Sequence, residues 1–467
     1  MKNTDIEKNL SKNNAGIAVR DGFTGGLGVI LATLGSAVGL GNIWKFPYLT
    51  GVNGGAAFLI VYLLSTLLVG LPVMISEHML GRKAKAEAIS TFLKLNPNKK
   101  QPWWLIGVFG VVAAFMIMAF YTEVAGWVFA YVIKSLGNGI FSTDPAVTGA
   151  AFGSMISNPW ISLGIQWAVL ALVGFIILQG VAKGIERTAK RVMPVLFALL
   201  IIVVIRSLTL EGALEGLKFL FMPDFSKLTG AAILTAMGLA FFKLSIGMGT
   251  MITYGSYFGD DQNIPMNATK VMLGDLVVSL LAGMAIFPAV FAYGVEPDAG
   301  PSLLFITIPT VFASMPFGHF FMVIFFLLTS LAAIGAMLSL IEVPVAFLSE
   351  HYRMTRNKAT IVIVGLLAAV GSLAALSSNV LAEAKLFGKT FFDLFDFLSS
   401  NVLLPVGGLF IVLFVSWVIG WNKVEKALTN NGTLKNVKLV KFYFNVTRYV
   451  TPILVLVVLL NGFGVFG

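Results

Sequence analysis

The stretch GSAVGLGNIWKFPYLTGVNGGAAF, residues 35–58, decides the fold of this chain. Its first eight residues, GSAVGLGN, lie near the middle of a long apolar segment, where glycines interrupt an otherwise helical pattern. Each glycine inside a helix costs roughly 0.5–1 kcal/mol relative to alanine, so such a cluster needs a structural reason. A second cluster, SIGMG at residues 245–249, interrupts another apolar segment near its middle. One explanation is close helix packing through small residues, and the other is a pair of discontinuous membrane helices.

The composition is that of a polytopic membrane protein. Of the 467 residues, 57% are hydrophobic and 12% are charged, whereas a soluble protein has about 25% charged residues. Apolar segments long enough to cross a roughly 30 Å hydrocarbon core predict an all-α integral membrane protein with about eleven transmembrane helices. These segments lie near residues 23–50, 54–80, 103–136, 159–181, 191–209, 229–258, 267–296, 316–349, 359–377, 390–421 and 440–466.

The distribution of basic residues predicts the orientation of these helices. Segments 81–102 and 182–192, read as loops, are rich in Lys and Arg, whereas 137–158 and 297–316 contain neither. Because cytoplasmic loops carry the excess of Lys and Arg, the N-terminus is expected inside. The net charge of +10 therefore follows membrane topology, and no nucleic-acid partner is expected. Segments 210–227 and 297–315 are too polar to span the membrane and too apolar to be plain linkers. We therefore expect them to form short helices that cover the external opening of the helix bundle.

Residue types exclude several functional classes. Cysteine is absent, which rules out a disulfide framework and a thiolate metal site. The three histidines are His78, His319 and His351, and none is expected to sit with a nucleophile or a metal partner. No catalytic constellation can be assembled, so an enzyme is not expected. No cofactor is expected either, apart from a sodium ion or a proton as a coupling ion. A channel is not expected either, because the sequence has no ring of charge and no filter-like repeat.

Two helices that are broken at corresponding places are typical of a secondary transporter, in which the breaks form a binding site at the membrane centre. The stretch quoted above resembles the first-helix signature of the neurotransmitter:sodium symporter family, and its bacterial amino-acid branch most closely. The similarity runs from Arg20 to Trp421. It includes AFFKLSIGMGTMITYGSY (240–257), IFPAVFAYG (286–294) and SLIEVPVAFL (339–348).

The resemblance implies a fold of two inverted five-helix repeats, with the first and sixth helices broken. Residues 1–22 are then a cytoplasmic tail, 23–227 the first repeat, 228–421 the second, and 422–467 a solvated loop and the eleventh helix. It also implies a multi-pass protein of the cytoplasmic, or inner, membrane of a prokaryote. The expected partners are a small amino-acid substrate and the lipid bilayer, and the oligomeric state is not specified.

The resemblance also assigns a substrate site. The backbone amides of Leu40 and Gly41 and the hydroxyl of Tyr121 are expected to hold a carboxylate, and Phe242 is expected to cover the substrate. The remaining expected substrate-binding residues are Ala37, Ile117, Ser245, Met248, Ala336 and Leu340. For the aromatic residues and Met248, the alternative is ordinary core packing.

Four charged residues resemble the gates of the family. Lys45 and Asp396 are expected to close the external path as an ion pair, and Arg20 and Glu350 the internal one. Gly184 and Pro194, with nine residues between them, resemble a motif that lets the fifth helix unwind toward the cytoplasm.

The first of the family's two sodium sites departs from the family pattern. The carbonyl of Ala37 and the side chain of Asn42 are present, but Lys243 stands where a hydroxyl is usual. Lys243 lies roughly 20 Å along its helix, too deep for its side chain to reach either surface. A lone lysine there costs about 2.5–3.5 kcal/mol or more. A partner is therefore needed, and Asp275 is the expected one.

The second sodium site also departs. The carbonyls of Gly35 and Val38 are present, but Gly335 and Ala336 replace two hydroxyl-bearing residues in the ungapped register. A shifted register would use Thr329 and Ser330 instead. Loss of two oxygen ligands weakens binding of a hard cation such as sodium. We expect the Lys243 ammonium to stand in for the first sodium ion, with sodium coupling lost or greatly reduced. Because a buried lysine can titrate near neutral pH, transport could then be coupled to protons or proceed as sodium-independent exchange.

The sequence thus predicts a secondary active transporter of a small, neutral, hydrophobic amino acid. A membrane sensor that binds an amino acid without net transport is the alternative, because a sensor has no need of ion coupling. The gate residues and the Gly184–Pro194 motif favour movement over sensing.

Overall fold

The computed structural model describes residues 22–294 and 303–465, which contain no β-strand. The spans are numbered α1 to α11 in chain order, and α1 and α6 each consist of two helices. Their bounds are Gly26–Ala37 and Gly41–Val52 (α1), Ala56–Ala84 (α2), Trp104–Ser135 (α3), Pro159–Leu178 (α4), Val181–Leu208 (α5), Gly230–Lys243 and Thr250–Ser256 (α6), Ile264–Ala292 (α7), Gly318–His351 (α8), Arg356–Ser378 (α9), Phe391–Ile419 (α10) and Val437–Gly462 (α11). Within the described ranges, nine helices are continuous and apolar enough to cross a membrane. Together with α1 and α6 they form the expected all-α membrane protein.

Both glycine clusters are breaks in a helix. The two halves of α1 meet at an angle of 50°, and Val38 between them has extended backbone. In α6, Ser245, Gly247 and Gly249 have φ angles of 52°, 78° and 75°. A serine rarely adopts this left-handed region, whereas glycine does so readily. The prediction of broken first and sixth helices is therefore confirmed.

The breaks leave backbone groups without helical partners, and neighbouring side chains supply some of the missing hydrogen bonds. The backbone N–H of Gly247 donates to Glu77 Oε1 at 2.6 Å. Ser245 Oγ donates to the carbonyl of Ser36 at 2.8 Å, which ties the break in α6 to α1. Because a membrane interior offers no bulk water, each of these bonds avoids a cost of several kcal/mol.

Shorter helices connect the spans. They are Ala88–Leu95, Pro145–Ile156, Ala213–Phe221, Thr307–Ala313 and Trp421–Leu428. Two of them fall in segments 210–227 and 297–315, where short helices were predicted. Trp421–Leu428 lies in the predicted C-terminal loop, which is therefore partly helical.

The interpretation of residues 182–192 as a loop is wrong. After α4 the chain turns at Gly180, with a φ angle of 92°, and α5 begins at once with the wide π-type turns of Val181–Glu186. The basic residues of this segment therefore lie on the first turns of a helix. Basic residues suit the end of a transmembrane helix as well as a loop, since both lie at the membrane surface.

The centre of the bundle forms around the broken spans. The first half of α1 packs against α5, α7 and α8, and both halves of α6 pack against α2. The long helix α3 packs along α8 on the other side. This arrangement surrounds both breaks with protein, the only setting in which irregular backbone is tolerated at membrane depth. The division into two inverted repeats stays a prediction.

Candidate functional site

A cavity beside the two breaks brings together the residues predicted to bind substrate. Every one of them except Leu40 lines it. Its lining consists of Ser36, Ala37, Gly39, Gly41, Ile117, Tyr121, Phe242, Lys243, Ser245, Met248, Ala336 and Leu340. Leu40 lines the wide vestibule above this cavity instead. Residues from α1, α3, α6 and α8, far apart in sequence, therefore meet in one place.

The hydroxyl of Tyr121 lies at the break in α1. It accepts a hydrogen bond of 2.8 Å from the backbone N–H of Leu40. A Cβ atom at Gly39 would lie 2.8 Å from this hydroxyl and 2.9 Å from the Cβ of Ala336. Only glycine lets α3 and α8 approach the break so closely. The tyrosine oxygen is the acceptor here, so its own proton remains available for a ligand.

Serine hydroxyls form a polar strip at this cavity. Ser36 Oγ donates to Ser339 Oγ at 2.8 Å, and Ser339 Oγ donates to the carbonyl of Ala336 at 2.8 Å. Ser36 and Ser339 were not among the predicted site residues. The available signal was helical spacing, because Ser339 lies three positions after Ala336 and so on the same side of α8.

The two residues predicted to form the external gate are in contact. Lys45 Nζ lies 3.6 Å from Asp396 Oδ1, and the two side chains are 24% and 38% exposed. The same ammonium lies 4.2 Å from the centre of the Phe242 ring. Both contacts are at the floor of the vestibule, where Trp127 and Phe392 also line the wall. The predicted lid and the predicted gate are thus joined by a cation–π contact.

The predicted internal gate is described only in part, because Arg20 lies outside the described residues. Glu350 Oε2 accepts a hydrogen bond of 2.9 Å from the backbone N–H of Glu87. At the start of α5, a Cβ atom at Gly184 would lie 2.2 Å from the carbonyl oxygen of Ile176. Gly184 therefore allows α5 to turn back closely on α4, and Pro194 lies inside α5.

Lys243 is almost completely buried, and its ammonium lies 3.1 Å from Asp275 Oδ2. It donates to the hydroxyl of Tyr62 at 2.9 Å and also to the hydroxyl of Ser279. The rings of Phe46 and Tyr62 lie 4.8 and 4.6 Å from the nitrogen. A charge buried in the membrane is tolerated when it is paired and hydrogen-bonded in this way.

Asn42 completes this buried cluster. Its Nδ2 donates to Asp275 Oδ1 at 2.7 Å and to Ser279 Oγ at 3.1 Å. Its Oδ1 accepts from the backbone N–H of Gly39 at 3.2 Å. An ammonium and amide hydrogens therefore face the place where a cation would need oxygen atoms. The residues of the first site do not fit a sodium ion in this arrangement.

Sequence reasoning found Lys243, Asp275 and Asn42 but missed Tyr62 and Ser279. Ser279 lies four residues after Asp275, one helical turn along α7, so this spacing would have been enough to find it. Tyr62 had no comparable signal, because it reaches Lys243 from α2 through tertiary packing.

The second predicted ion site is apolar and tightly packed. A Cβ atom at Gly335 would lie 2.4 Å from the carbonyl oxygen of Gly35. Gly335 thus faces Gly35, as the ungapped register predicts, whereas Thr329 and Ser330 donate to carbonyls of their own helix. Around this contact lie mainly apolar side chains, among them those of Ala32, Ala189, Met193 and Leu338. These residues do not fit a sodium ion either.

The sequence is similar to a known family of membrane transporters over almost its whole length. The model of the sodium:neurotransmitter symporter family matches residues 20–143 and 159–466. The chain belongs to this family. An uncharacterized sodium-dependent transporter of Bacillus subtilis, YhdH, is 41% identical over 439 residues, covering 94% of this chain and 97% of that protein. An uncharacterized sodium-dependent transporter of Haemophilus influenzae is 33% identical and covers 95% of this chain and 98% of its own.

A solved structure is similar over nearly the whole of this symporter-family protein. The crystal structure of MhsT in complex with L-phenylalanine has a TM-score of 0.87 and 41% sequence identity. The match covers 95% of this chain and 100% of that chain. The predictions of a membrane transporter, and of a protein that is not an enzyme, are confirmed by these relatives.

Proposed function

We propose that this transporter carries a neutral, hydrophobic amino acid by alternating access. The cavity between α1, α3, α6 and α8 supports this proposal, because its lining combines polar groups with apolar side chains. The relative of known structure, MhsT, was crystallised with L-phenylalanine. A neutral side chain is favoured because Ile117, Met248, Ala336 and Leu340 offer no charge to a substrate.

The carboxylate of the substrate would bind at the break in α1. The N–H groups of Leu40 and Gly41 lie where the second half of α1 begins, and the start of a helix favours a negative charge. The hydroxyl proton of Tyr121 would add a third donor once the N–H of Leu40, which donates to that hydroxyl in the structure, turns to the carboxylate. The carbonyl groups and serine hydroxyls of the two breaks would accept from the ammonium of the substrate.

The proposal about ion coupling rests on the buried ion pair between Lys243 and Asp275. Lys243 lines the substrate cavity, and its ammonium contacts Asp275. The Lys243 ammonium thus lies where the family resemblance places the first sodium ion. The packing of Gly335 against Gly35 removes both space and ligands from the second site. We infer that transport is weakly dependent on sodium, and that protons or exchange of substrate provide the coupling.

A sensor is the second candidate, but the gates favour transport. Lys45 and Asp396 form an ion pair at the floor of the vestibule, and both side chains are partly exposed. A gate of this kind can open with little movement of the helices. A protein that only senses an amino acid has no need of such a gate, nor of the Gly184–Pro194 motif in α5.

Reconstitution into proteoliposomes tests the proposed function. Uptake of labelled leucine or phenylalanine would be measured with a sodium gradient, with a proton gradient and with neither. We expect uptake without sodium, and counterflow when the vesicles are loaded with unlabelled substrate. A steep sodium dependence that Lys243→Thr leaves unchanged contradicts the replacement of the ion. Absence of counterflow for every neutral amino acid favours the sensor.

The orientation is part of the same proposal, with the N-terminus inside the cytoplasmic membrane of a prokaryote. The chain has no cysteine, so one introduced thiol reports on one position. Lys99 lies at an exposed position in the basic segment 81–102, and Ser154 at an exposed position in segment 137–158, which has no Lys or Arg. Each would be replaced by cysteine in a separate variant, Lys99→Cys or Ser154→Cys. In intact cells, a membrane-impermeant maleimide should label the cysteine at 154 and spare the one at 99. The reverse pattern contradicts the orientation.

A further inference from the structure

The C-terminal part of the chain is strongly basic, and neither the substrate cavity nor the gates use it. Residues 426–467 contain five Lys or Arg and no Asp or Glu. The basic residues are Lys426, Lys435, Lys438, Lys441 and Arg448. Such an excess predicts an anionic partner near this end of the molecule.

Arg448 is the unusual member, because it lies inside the membrane span α11. Its guanidinium carbon lies 4.2 Å from the ring centre of Trp417 and 5.4 Å from that of Tyr449. Among residues 22–294 and 303–465, no carboxylate forms an ion pair with it. Its Nε is buried without a hydrogen-bond partner in the same part of the chain. An arginine within a span normally has a partner, and here the described part of the chain supplies only aromatic rings.

The two rings face outward. Trp417 is 58% exposed and Tyr449 is 56% exposed. On the surface of a membrane span, exposed side chains face lipid. Trp417 lies two residues before the end of α10 at Ile419, so the rings lie close to the boundary of the bilayer. Tryptophan and tyrosine are enriched at this depth, at the level of the lipid headgroups.

This boundary is on the side opposite the vestibule. The helix α10 begins at Phe391, and Asp396 near that end forms the external gate. Trp417 is near the other end, which the charge distribution assigns to the cytoplasm. Lys438 and Lys441 are exposed on the first turns of α11. Lys441 lies seven residues, or about two helical turns, before Arg448 and thus on a similar face.

We propose that Arg448 and Lys441, with the rings of Trp417 and Tyr449, bind the phosphate of an anionic phospholipid. A planar guanidinium donates to phosphate in a bidentate manner. The acyl chains of such a lipid would lie along the exposed apolar surfaces of α10 and α11. A soluble acidic protein would reach the lysines but not the lipid-facing rings, so the observations favour lipid.

Lipid retention by the full-length protein tests this site. The protein would be reconstituted in nanodiscs of phosphatidylcholine with one third phosphatidylglycerol, and lipid retained after mild detergent exchange would be measured by native mass spectrometry. We expect enrichment of phosphatidylglycerol, and a reduction of about fivefold for each charge removed, as in Arg448→Gln. Lys227→Gln, at an exposed position on the vestibule side, should leave the enrichment unchanged.

Two further variants keep the test decisive if Arg448→Gln does not fold. The double substitution Lys438→Gln and Lys441→Gln changes only exposed side chains and should still lower the enrichment. Arg448→Lys should lower it partly, because lysine retains the charge but not the bidentate geometry. Equal retention of the anionic lipid by all variants overturns the proposal. Full competition by millimolar inorganic phosphate overturns the lipid assignment and leaves a site for free phosphate.

Discussion

The ammonium of Lys243 lies 3.1 Å from the carboxylate of Asp275, and both side chains are almost completely buried between α6 and α7. Tyr62 and Ser279 each hydrogen-bond to the same nitrogen. This cluster adjoins the cavity proposed to bind substrate, which Lys243 itself lines. This ion pair lies where the first sodium site was predicted, and the first two of the following predictions depend on it.

Lys243→Met should strongly destabilise the protein. The substitution leaves the carboxylate of Asp275 buried without its partner, which costs about 3–5 kcal/mol. Asp275→Asn should have a similar effect on the remaining ammonium. Thermal unfolding in detergent measures both. The double variant Lys243→Met with Asp275→Leu should recover most of the loss, because no charge then stays buried. A double variant as unstable as the sum of the single variants contradicts the pairing.

The double substitution Lys243→Thr with Asp275→Asn should create sodium binding. It replaces both charges by neutral side chains that carry oxygen atoms, which a hard cation requires. The midpoint of thermal unfolding should then rise with sodium concentration, because a ligand that binds only the folded state stabilises it. Choline at equal ionic strength is the control. A wild-type protein that responds to sodium as strongly as the variant contradicts the prediction.

Gly335→Ala should destabilise the contact between α8 and α1. The added methyl group would lie 2.4 Å from the carbonyl oxygen of Gly35, and overpacking of this kind costs about 1–3 kcal/mol. Gly365→Ala in α9 is the matched control, since nothing lies within 4 Å of its Cβ position. There the alanine should be neutral or slightly stabilising. Equal unfolding midpoints for the two variants would show that α8 has room to move at Gly335.

Lys45→Gln should speed the release of substrate to the vestibule with little loss of stability. The ion pair with Asp396 is partly exposed, and such pairs contribute about 0–1 kcal/mol. The same change removes the cation–π contact with Phe242. Dissociation of labelled substrate from purified protein measures the rate. The matched control is Lys218→Gln, which breaks an exposed ion pair with Glu215 and should leave the rate unchanged.

Glu186→Gln should loosen the beginning of α1. The carboxylate of Glu186 accepts hydrogen bonds of 2.7 and 2.6 Å from the backbone N–H and hydroxyl of Thr24. It also fills the space that a side chain at Gly28 would need. Because Glu186 lies in the wide turns of α5, it ties the two helices together. Hydrogen exchange should accelerate in the first turns of α1.

Lys190→Gln provides the comparison for this prediction. It removes the ion pair of 2.6 Å with Glu186 but keeps the bonds to Thr24. Exchange in α1 should then change much less than in Glu186→Gln. If both variants exchange alike, the salt bridge alone holds the carboxylate in place.

The membrane fold and the outline of the site could be predicted from the sequence. Apolar length determines how many helices span the membrane, and glycine clusters mark the breaks, because both signals are local. Lys243 could also be recognised from the sequence, since a charged residue in the middle of a membrane span must have a partner or a function. The segment 182–192 was misread because a basic loop and a basic helix end have similar compositions.

What the sequence determined by itself was therefore the set of helices, the positions of both breaks and the anomaly at residue 243. The tertiary structure decided which groups meet. Only packing brings Tyr62 from α2 to the ammonium of Lys243, places Gly335 against Gly35, and sets the guanidinium of Arg448 against the ring of Trp417. These contacts depend on the separation and rotation of whole helices, which many weak side-chain interactions set together and no local pattern records.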